Sequence, residues 1–424
     1  MDPFEASKRF YTDPEYARDL GWPTNPRTGE ALGLYPFFLP VERARDGMVT
    51  LDGRQLIMLG SNNYLGLTGH PHVVESAVRA TEQFGTGCTG SRFLNGTLEL
   101  HLELEQRLAD FVGKPAVLVF STGYQTNLGT LTALADRGTV FVCDKDVHAS
   151  VIDAVMLAKS QRGATCRFYR HRDLQSLEKI LKRYGDESAL FVVTDGVFSM
   201  GGDIAPVPAL AQVCQKYGAR LIVDDAHGIG VLGGGRGTAA HFNCEDSVDL
   251  VIGTFSKSLA SMGGFVAGSK EVIHWIQHRS RPYMFSASLS PANVGAVLGA
   301  LDVIEKEPER VQRVVEIAAR MSAELRSMGY DLCDSETPIV PVHIGDQFRA
   351  LQAWEVLRKA GVYANVALPP AVKPNRALLR TSYVATHTDE QLEKVLEAFR
   401  RVLKKLSGSR RGRRTATGAQ GNRR

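Results

Sequence analysis

The central part of the chain alternates short apolar runs with helical patterns. Between residues 70 and 285, the apolar runs are 116–120, 139–143, 189–194, 220–224, 249–254 and 264–268. Runs that are apolar on both faces are typical of buried parallel strands. Periodic stretches such as 101–112 and 207–218 predict helices between these strands. The alternation therefore predicts one large α/β domain with a mainly parallel sheet.

The two ends of the chain follow other patterns. Residues 48–59 predict a hairpin that turns at Asp52-Gly53. Beyond residue 290, a long helical stretch over 292–329 precedes shorter strands and a final helix over 389–406, which predicts a smaller α+β domain. We therefore expect four segments: an N-terminal arm and hairpin (1–59) that packs with the small domain, a large domain (60–288), a small domain (289–406) and a disordered basic tail (407–424).

Composition places the chain among ordinary globular proteins. Of its 424 residues, 44% are hydrophobic and 23% are charged, which excludes a wholly disordered chain. No apolar run reaches the ~18–20 residues of a membrane span, and the charged N-terminus lacks the apolar core of a secretory signal. The six cysteines form no CxxC pair, so neither a disulfide scaffold nor a zinc site is expected. We expect a cytoplasmic protein without a bound metal.

Charge is unevenly distributed along the chain. The net charge is +4, but the last 21 residues hold eight of the 50 basic residues and no acidic ones. The remainder has 42 basic and 46 acidic residues and is mildly acidic. A basic tail is most often a solvated end, although it would also suit weak peripheral contact with an anionic membrane or an acidic carrier protein. We expect no nucleic-acid partner.

Polar motifs follow several of the predicted strands, at the edge where open parallel sheets bind ligands. Gly123 lies in VFSTGYQTN, between a strand and a helix that we expect to begin near Gln125. The N-terminus of a helix is a suitable place for a phosphate. Asp224 ends the strand of LIVDDAHGIG, with His227 three residues later. Taken alone, the first motif could be an ordinary turn, and the second could be a metal-binding or structural Asp–His pair.

A lysine follows the next strand, in TFSKSLASMGG. Lys257 lies in a hydroxyl-rich loop with Thr254 and Ser256, whose hydroxyls suit a phosphate. A lone loop lysine is usually a solvated charge, but in a pocket its amine acts as a nucleophile and base. His148 follows another strand and offers a flat ring for stacking. A Schiff-base lysine, an acid for a pyridinium, a flat histidine and a phosphate cradle are what pyridoxal phosphate requires.

The segment GTGCTG (85–90) matches the GxGxxG fingerprint of dinucleotide sites. That fingerprint needs a strand before it and a helix after it, whereas the residues before Gly85 have a helical pattern. A nicotinamide oxidoreductase therefore stays only as an alternative from another class of enzyme. A non-catalytic subunit is a further alternative, but such a subunit is expected to lack the Schiff-base lysine that is present here.

In sequence, the chain resembles the α-oxoamine synthases over residues 30–400. The resemblance rests on the His148 motif and on GSNNYLGL (60–67), GTGCTGSRFLNGT (85–97), VDDAHGIG (223–230), TFSKSLASMGG (254–264) and LLRTS (378–382). It implies the fold type I architecture of pyridoxal-phosphate enzymes, with a mainly parallel seven-stranded sheet in the large domain and a smaller α+β domain. It also implies a homodimer whose active sites are shared between the subunits.

The resemblance implies a role for each motif residue. Lys257 would hold pyridoxal phosphate as a Schiff base and then remove the Cα proton of an amino acid. Asp224 would pair with the pyridine nitrogen, His227 with the phenolic oxygen, and His148 would stack on the ring. Phosphate binding is implied for Gly123, Tyr124, Thr254, Ser256 and, from a second subunit, Ser286 and Ala287. Substrate binding is implied for Asn63, Tyr64 and Arg380, the last as the fork that holds the amino-acid carboxylate.

Within the family, the segments at 34–42 and 281–291 resemble the branch that condenses L-serine with a long-chain acyl thioester, with loss of carbon dioxide, to give 3-oxosphinganine. That branch carries a loop arginine where this chain has Leu368. In this chain, the nearby Lys373 is the candidate to supply the missing positive charge. Sister reactions that use alanine or glycine therefore stay open, namely those of 8-amino-7-oxononanoate synthase, 2-amino-3-oxobutyrate CoA ligase and 5-aminolevulinate synthase. The acyl carrier, coenzyme A or an acyl carrier protein, also stays open.

Overall fold

The computed structural model describes residues 2–19, 35–184, 189–369 and 371–418. Part of the predicted N-terminal arm (20–34) and the end of the predicted tail (419–424) lie outside the described residues. The prediction of a disordered tail is wrong for residues 407–418, which continue the C-terminal helix Asp389–Gly418. The chain divides into two compact units. The large unit comprises Asn62–Glu316 and Glu336–Pro338, and the small unit comprises the described residues of Met1–Ser61, Ile317–Ser335 and Ile339–Arg424.

Strands and helices alternate through most of the described chain. The strands are β1 (Arg43–Arg45), β2 (Met48–Leu51), β3 (Arg54–Met58), β4 (Ala116–Phe120), β5 (Thr139–Asp144), β6 (Thr165–Tyr169), β7 (Ala189–Asp195), β8 (Arg220–Asp224), β9 (Leu250–Thr254), β10 (Gly264–Gly268), β11 (Ile339–Gly345), β12 (Val362–Tyr363), β13 (Asn365–Ala367) and β14 (Ala377–Ser382). The helices are α1 (Pro3–Thr12), α2 (Pro14–Asp19), α3 (Pro71–Phe84), α4 (Glu99–Val112), α5 (Gly123–Leu134), α6 (Ala149–Arg162), α7 (Leu174–Leu181), α8 (Val207–Lys216), α9 (Thr238–His241), α10 (Lys270–Arg279), α11 (Arg281–Met284), α12 (Pro291–Lys306), α13 (Glu309–Ser327), α14 (Gln347–Lys359) and α15 (Asp389–Gly418). None of these described helices has the length and apolar content that a bilayer crossing requires.

The large unit is built on a seven-stranded sheet with the order β4-β10-β9-β8-β7-β5-β6. The strands from β9 to β6 pair in parallel, and β10 runs antiparallel to both β4 and β9. β5, β9 and β10 are buried along their whole length, which explains why their sequences are apolar on both faces. The predicted strands at 116–120, 220–224 and 264–268 coincide with β4, β8 and β10, and the predicted α/β fold is confirmed.

β6 is the strand that the apolar pattern misses. It lies at one edge of the sheet, and its residues Arg167 and Phe168 are exposed. An edge strand is partly open to solvent, so it lacks the continuous apolar run by which the buried strands are recognised.

The long helical stretch predicted over 292–329 is in fact two helices. α12 ends at Lys306 and α13 begins at Glu309, because Pro308 between them has no N–H to donate. The sequence pattern assigns residues 289–306 to the small domain, whereas α12 belongs to the large unit, where it packs on α3. Gly295 allows this close approach, since a Cβ there would lie 2.5 Å from the carbonyl oxygen of Ser76.

The small unit contains a four-stranded sheet, β1-β2-β3-β12, and a three-stranded antiparallel sheet, β11-β14-β13. β2 and β3 form the predicted hairpin, in which Asp52 and Gly53 have φ of +50° and +68°. Two left-handed residues are what a two-residue hairpin turn requires. The core of the unit packs Trp354, Tyr383 and Phe399 against the three-stranded sheet.

Candidate active site

Eight of the predicted site residues line one cavity of about 320 Å³ in the large unit. They lie at or just after the carboxyl ends of β4, β5, β8 and β9, four strands of the same sheet, although they are far apart in the sequence. They are Gly123, Tyr124, His148, Asp224, His227, Thr254, Ser256 and Lys257. The sheet edge thus brings most of the predicted site together, as ligand sites in open parallel sheets require.

Asp224 is fixed by a chain of buried hydrogen bonds. It ends β8, and its Oδ2 accepts from Nδ2 of Asn127 at 2.6 Å. The same Nδ2 lies 2.9 Å from Oγ of Ser150, which in turn lies 2.7 Å from Nδ1 of His148. Burial lowers the pKa of His148, and the nearby Lys257 lowers it further against the opposing effect of Asp224. The carboxylate and the imidazole are therefore oriented through one network.

Asp195 is a cavity residue that the sequence reasoning missed. It ends β7 in register with Asp224 on β8, and its Oδ1 accepts from the backbone N–H of His148 at 3.4 Å. Burial raises the pKa of Asp195 well above its usual range, and the Asp224 carboxylate raises it further. Two adjacent buried carboxyl groups do not both ionise readily, so this placement favours the protonated form of Asp195. The available signal was its position at a strand end, one residue beyond the run 189–194.

The N-terminus of α5 and two hydroxyls form a cradle for an anion. α5 begins at Gly123 and is capped by Thr122, whose Oγ1 accepts from the N–H of Gln125 at 3.1 Å. Thr254 and Ser256 face this end, with their hydroxyl oxygens 2.9 Å apart. A Cβ at Gly123 would lie 2.7 Å from Oγ1 of Thr254, so only glycine leaves the space open. Unpaired N–H groups at a helix N-terminus favour phosphate.

Lys257 lies in a loop that is anchored on both sides. The backbone N–H of Phe255 donates to Gly263 at 3.0 Å, and that of Ala260 donates to Lys257 at 3.0 Å. The Phe255 side chain is fully buried and stacks on Phe265, with ring centroids 5.9 Å apart. These anchors hold the amine-bearing residue at the cavity wall.

The side chains of His227 and Tyr64 are in hydrogen-bond contact, whereas the side chain of Asn63 makes hydrogen bonds within its own loop. Nδ1 of His227 lies 2.7 Å from the hydroxyl of Tyr64, and both side chains are buried. The Asn63 amide instead closes its own turn, with Oδ1 accepting from the N–H of Leu67 at 2.9 Å and Nδ2 donating to Thr68 at 2.8 Å. Asn63 therefore shapes the loop that carries Tyr64.

Ser286 and Ala287 do not line the cavity of their own chain. Oγ of Ser286 accepts from Nε2 of Gln125 at 3.1 Å, and the carbonyl of Ala287 accepts from the hydroxyl of Ser121 at 2.5 Å. Both residues therefore lie against the start of α5 from outside the cavity.

Arg380 and Leu368 belong to the small unit. Arg380 lies on β14, is 7% exposed and donates from Nη1 to the Ser382 hydroxyl at 3.0 Å. Leu368 follows β13 and is 6% exposed within the core of the unit, whereas Lys373 is exposed. The position where the family branch carries an arginine is thus apolar and packed.

The cavity residues fit the cofactor that the sequence predicts. The α5 cradle suits its phosphate, the buried Asp224 carboxylate suits a protonated ring nitrogen, and the Lys257 amine suits its aldehyde. Oδ1 of Asn127 is buried without a hydrogen-bond partner among the described residues. This donor and acceptor set has the chemistry that pyridoxal phosphate needs.

Comparisons with known proteins show the family of the chain. The family model for aminotransferases of class I and II matches residues 54–399. The serine palmitoyltransferase of Sphingobacterium spiritivorum is 44% identical over 373 residues, which cover 88% of this chain and 92% of that protein. The 8-amino-7-oxononanoate synthase of Thermoanaerobacter pseudethanolicus is 40% identical over 377 residues, or 88% of this chain and 94% of that protein.

Solved structures are similar over nearly the whole chain. The serine palmitoyltransferase of Sphingomonas wittichii superposes with a TM-score of 0.87 at 36% identity, over 93% of this chain and 97% of that chain. A high-resolution structure of SPT with a PLP internal aldimine gives a TM-score of 0.86 at 36% identity, over 90% and 96% of the two chains. The likeness therefore includes most of both compact units.

Proposed function

The chain belongs to the family of class I and II aminotransferases, and from that premise we propose that it condenses L-serine with a long-chain acyl thioester. It is a pyridoxal-phosphate-dependent acyltransferase, and its products are 3-oxosphinganine and carbon dioxide, at the entry to sphingolipid synthesis. One observation carries the proposal: the cavity that unites Lys257, Asp224 and His148 belongs to a chain 44% identical to a serine palmitoyltransferase.

The residues around the cavity prepare the cofactor for this reaction. When bound, pyridoxal phosphate supplies an electron sink for negative charge at the substrate Cα. The N-terminus of α5, with Thr254 and Ser256, binds the phosphate. The Asp224 carboxylate, oriented by Asn127, keeps a proton on the ring nitrogen. His148, which lines the same cavity, would stack on the ring.

Lys257 moves the protons of the reaction. Its amine takes the proton from the amino-acid Cα and so makes that carbon nucleophilic. The Cα then bonds to the acyl carbon while the carbon–sulfur bond of the thioester breaks, and the carrier leaves as a thiolate that takes a proton from solvent. The carboxyl group of the amino acid leaves as carbon dioxide, and Lys257 returns a proton to Cα.

The active enzyme is a homodimer in which each subunit completes the other's site. Ser286 and Ala287 lie outside the cavity of their own chain, as residues that serve a partner would. Apolar side chains near them are open to solvent in the single chain, with Phe285 70% and Leu94 76% exposed. Such exposed apolar groups are typical of surfaces that a partner covers.

The enzyme works in the cytoplasm with a thioester of coenzyme A or acyl carrier protein. All six cysteines are free thiols, which suits a reducing compartment. The basic residues of 407–424 would attract an acidic carrier or an anionic membrane surface, and this part of the proposal rests on charge alone.

A substrate matrix tests the proposal. Carbon dioxide release is measured from L-serine, L-alanine and glycine with acyl-coenzyme A and acyl carrier protein donors of increasing chain length. We expect the highest kcat/KM with L-serine and a long chain. Best turnover with glycine or a short acyl chain would overturn the assignment of substrates while leaving the cofactor chemistry in place.

One alternative has specific support. The 8-amino-7-oxononanoate synthase of Thermoanaerobacter pseudethanolicus is 40% identical over 88% of this chain, and Leu368 stands where a loop arginine is expected for serine. In that alternative L-alanine replaces L-serine as the amino acid, and the same matrix separates the two reactions.

A further inference from the structure

A second group of reactive side chains lies in the small unit, and none of its members lines the cavity. It consists of Cys333, His343 and Arg376, which we call the thiol cluster. Cys333 lies between α13 and β11, His343 lies on β11, and Arg376 immediately precedes β14. The antiparallel pairing of β11 with β14 places His343 opposite Leu378, and this register brings the three residues together.

The contacts of Cys333 are those of an activated thiol. Its Sγ lies 2.7 Å from Nε2 of His343 and 3.8 Å from Nη2 of Arg376. A thiol within hydrogen-bond reach of an imidazole can lose its proton to that base, and a neighbouring guanidinium stabilises the thiolate. Cys333 is partly exposed, as a residue that reacts with small reagents must be.

The turn around Cys333 is held in an uncommon conformation. Its φ of +54° lies in the left-handed region, which few residues other than glycine adopt. The backbone N–H of Cys333 donates to Oδ1 of Asp331 at 3.2 Å, and its carbonyl accepts from Nη2 of Arg326 at 3.1 Å. These contacts fix the turn and keep the sulfur beside His343.

His343 is in the right state to accept a proton. Burial lowers the pKa of His343, and Arg376 lowers it further, while Asp331 opposes them, so the surroundings favour the neutral ring. Its Nδ1 is buried without a hydrogen-bond partner among the described residues, so the ring makes its polar contact through Nε2. The charged groups around the cluster are Arg326 from α13, Asp331 from the turn and Arg376 from the β14 side.

Three other partly exposed cysteines offer a comparison within the same chain. Their thiols donate to backbone carbonyls, Cys88 to Leu289, Cys166 to Val155 and Cys244 to Ala239. A carbonyl oxygen does not remove the proton of a thiol, and burial raises the pKa of each of these three groups. They are therefore slow nucleophiles at neutral pH.

We propose that Cys333 is a modification site that undergoes thiol–disulfide exchange with small anionic disulfides. His343 takes the thiol proton, and the Cys333 sulfur attacks one sulfur of the reagent. A new disulfide forms on Cys333 as the reagent's S–S bond breaks, and the departing thiolate leaves with the electron pair and regains the proton. The exposed Arg376 guanidinium favours reagents that carry carboxylates.

Peptide mapping after brief exposure of the holoenzyme to oxidised glutathione tests the proposal. At pH 7 we expect Cys333 to react at least about tenfold faster than Cys88, Cys166 and Cys244. His343→Gln should slow Cys333 about tenfold or more and leave the other three unchanged. Equal rates at all four positions, or no effect of His343→Gln, would overturn the assignment.

The charge of the reagent tests the role of Arg376. Wild-type protein is compared with oxidised glutathione, which is anionic, and cystamine, which is cationic. We expect Cys333 to prefer the anionic disulfide several-fold and Arg376→Gln to remove that preference. An equal rate with cystamine in the wild-type protein would refute the anion preference. Circular dichroism of both variants ensures that a change in rate does not come from unfolding.

Discussion

The cavity of the large unit and the β13–β14 region of the small unit differ in what surrounds their key side chains. In the cavity, Asp224 and His148 are tied to each other through Asn127 and Ser150, all attached to buried strands or helix starts. In the small unit, Leu368 occupies a packed apolar position where the family branch has a charge. The residues that we propose carry the chemistry thus lie in a polar network, whereas Leu368, which departs from the family pattern, lies in a hydrophobic core.

Replacing the reactive amine should have the largest effect on the cavity. Lys257→Ala removes the amine that we propose binds the cofactor aldehyde and moves the Cα proton. We expect kcat to fall at least about 10³-fold and borohydride treatment to leave no cofactor covalently attached, as measured by mass spectrometry.

A surface lysine provides the control for that experiment. Lys270 is the first residue of α10 and is exposed, so Lys270→Ala should keep full activity and covalent labelling. Substantial acyl transfer by Lys257→Ala, with a normal far-ultraviolet spectrum, would disprove the role given to Lys257.

Variants of the neighbouring residues Asp224 and Asp225 should distinguish an effect on the reaction from an effect on the stability of the fold. Asp224→Asn removes the carboxylate that we propose keeps the ring nitrogen protonated, and we expect kcat/KM to fall about 10²-fold. Asp225 is also buried, but its carboxylate accepts from the N–H and hydroxyl of Thr238, and burial raises its pKa to about 6. Asp225→Asn should therefore lower the unfolding midpoint and spare the chemistry. Activity assays and thermal unfolding check both variants. A loss of activity in Asp225→Asn, with only a loss of stability in Asp224→Asn, would contradict these assignments.

The same contrast explains how far the sequence could predict the molecule. Buried strands such as β4 and β10 are continuous apolar runs, and polar residues that follow such runs must meet at one sheet edge. The position of Asp195 at a strand end was visible in the sequence, but its pairing with Asp224 depends on the register of β7 with β8, which no local pattern encodes. The packing of Leu368 into the small-unit core also depends on tertiary contacts, so the sequence alone showed a missing charge and not a core residue.

A charge placed at Leu368 tests whether this region selects the amino acid. Since the side chain is 6% exposed in an apolar core, Leu368→Arg should cost about 2–4 kcal/mol of stability. We expect a lower midpoint of urea unfolding and an unchanged ratio of kcat/KM for L-serine over L-alanine. Leu368→Met preserves the volume and serves as the control. A rise in the serine preference would mean that the arginine side chain leaves the core and acts on the substrate.

The smallest effect concerns His171, which ties together two cavity-lining segments of the large unit. Its Nδ1 lies 3.1 Å from Oδ1 of Asp144, and its Nε2 lies 2.9 Å from Oδ2 of Asp203. Asp144 precedes the turn that carries His148, and Asp203 follows the stretch that includes Ser199. Burial alone would lower the pKa of His171, but the two carboxylates outweigh it and raise the pKa to about 9.

Because the folded-state pKa of His171 lies above its unfolded value of about 6.5, its stabilisation is complete below pH 6.5. It is lost as the pH rises through 9, and it amounts to about 1–2 kcal/mol after allowance for solvent screening. Urea unfolding at pH values from 6 to 10 should show this loss in the wild-type protein and in the control His274→Gln, whose histidine is exposed. His171→Gln should be less stable at pH 6 and lose less stability as the pH rises. Parallel curves for all three proteins would mean that the two carboxylates do not hold His171 protonated, and that the segments bearing His148 and Ser199 are joined by packing alone.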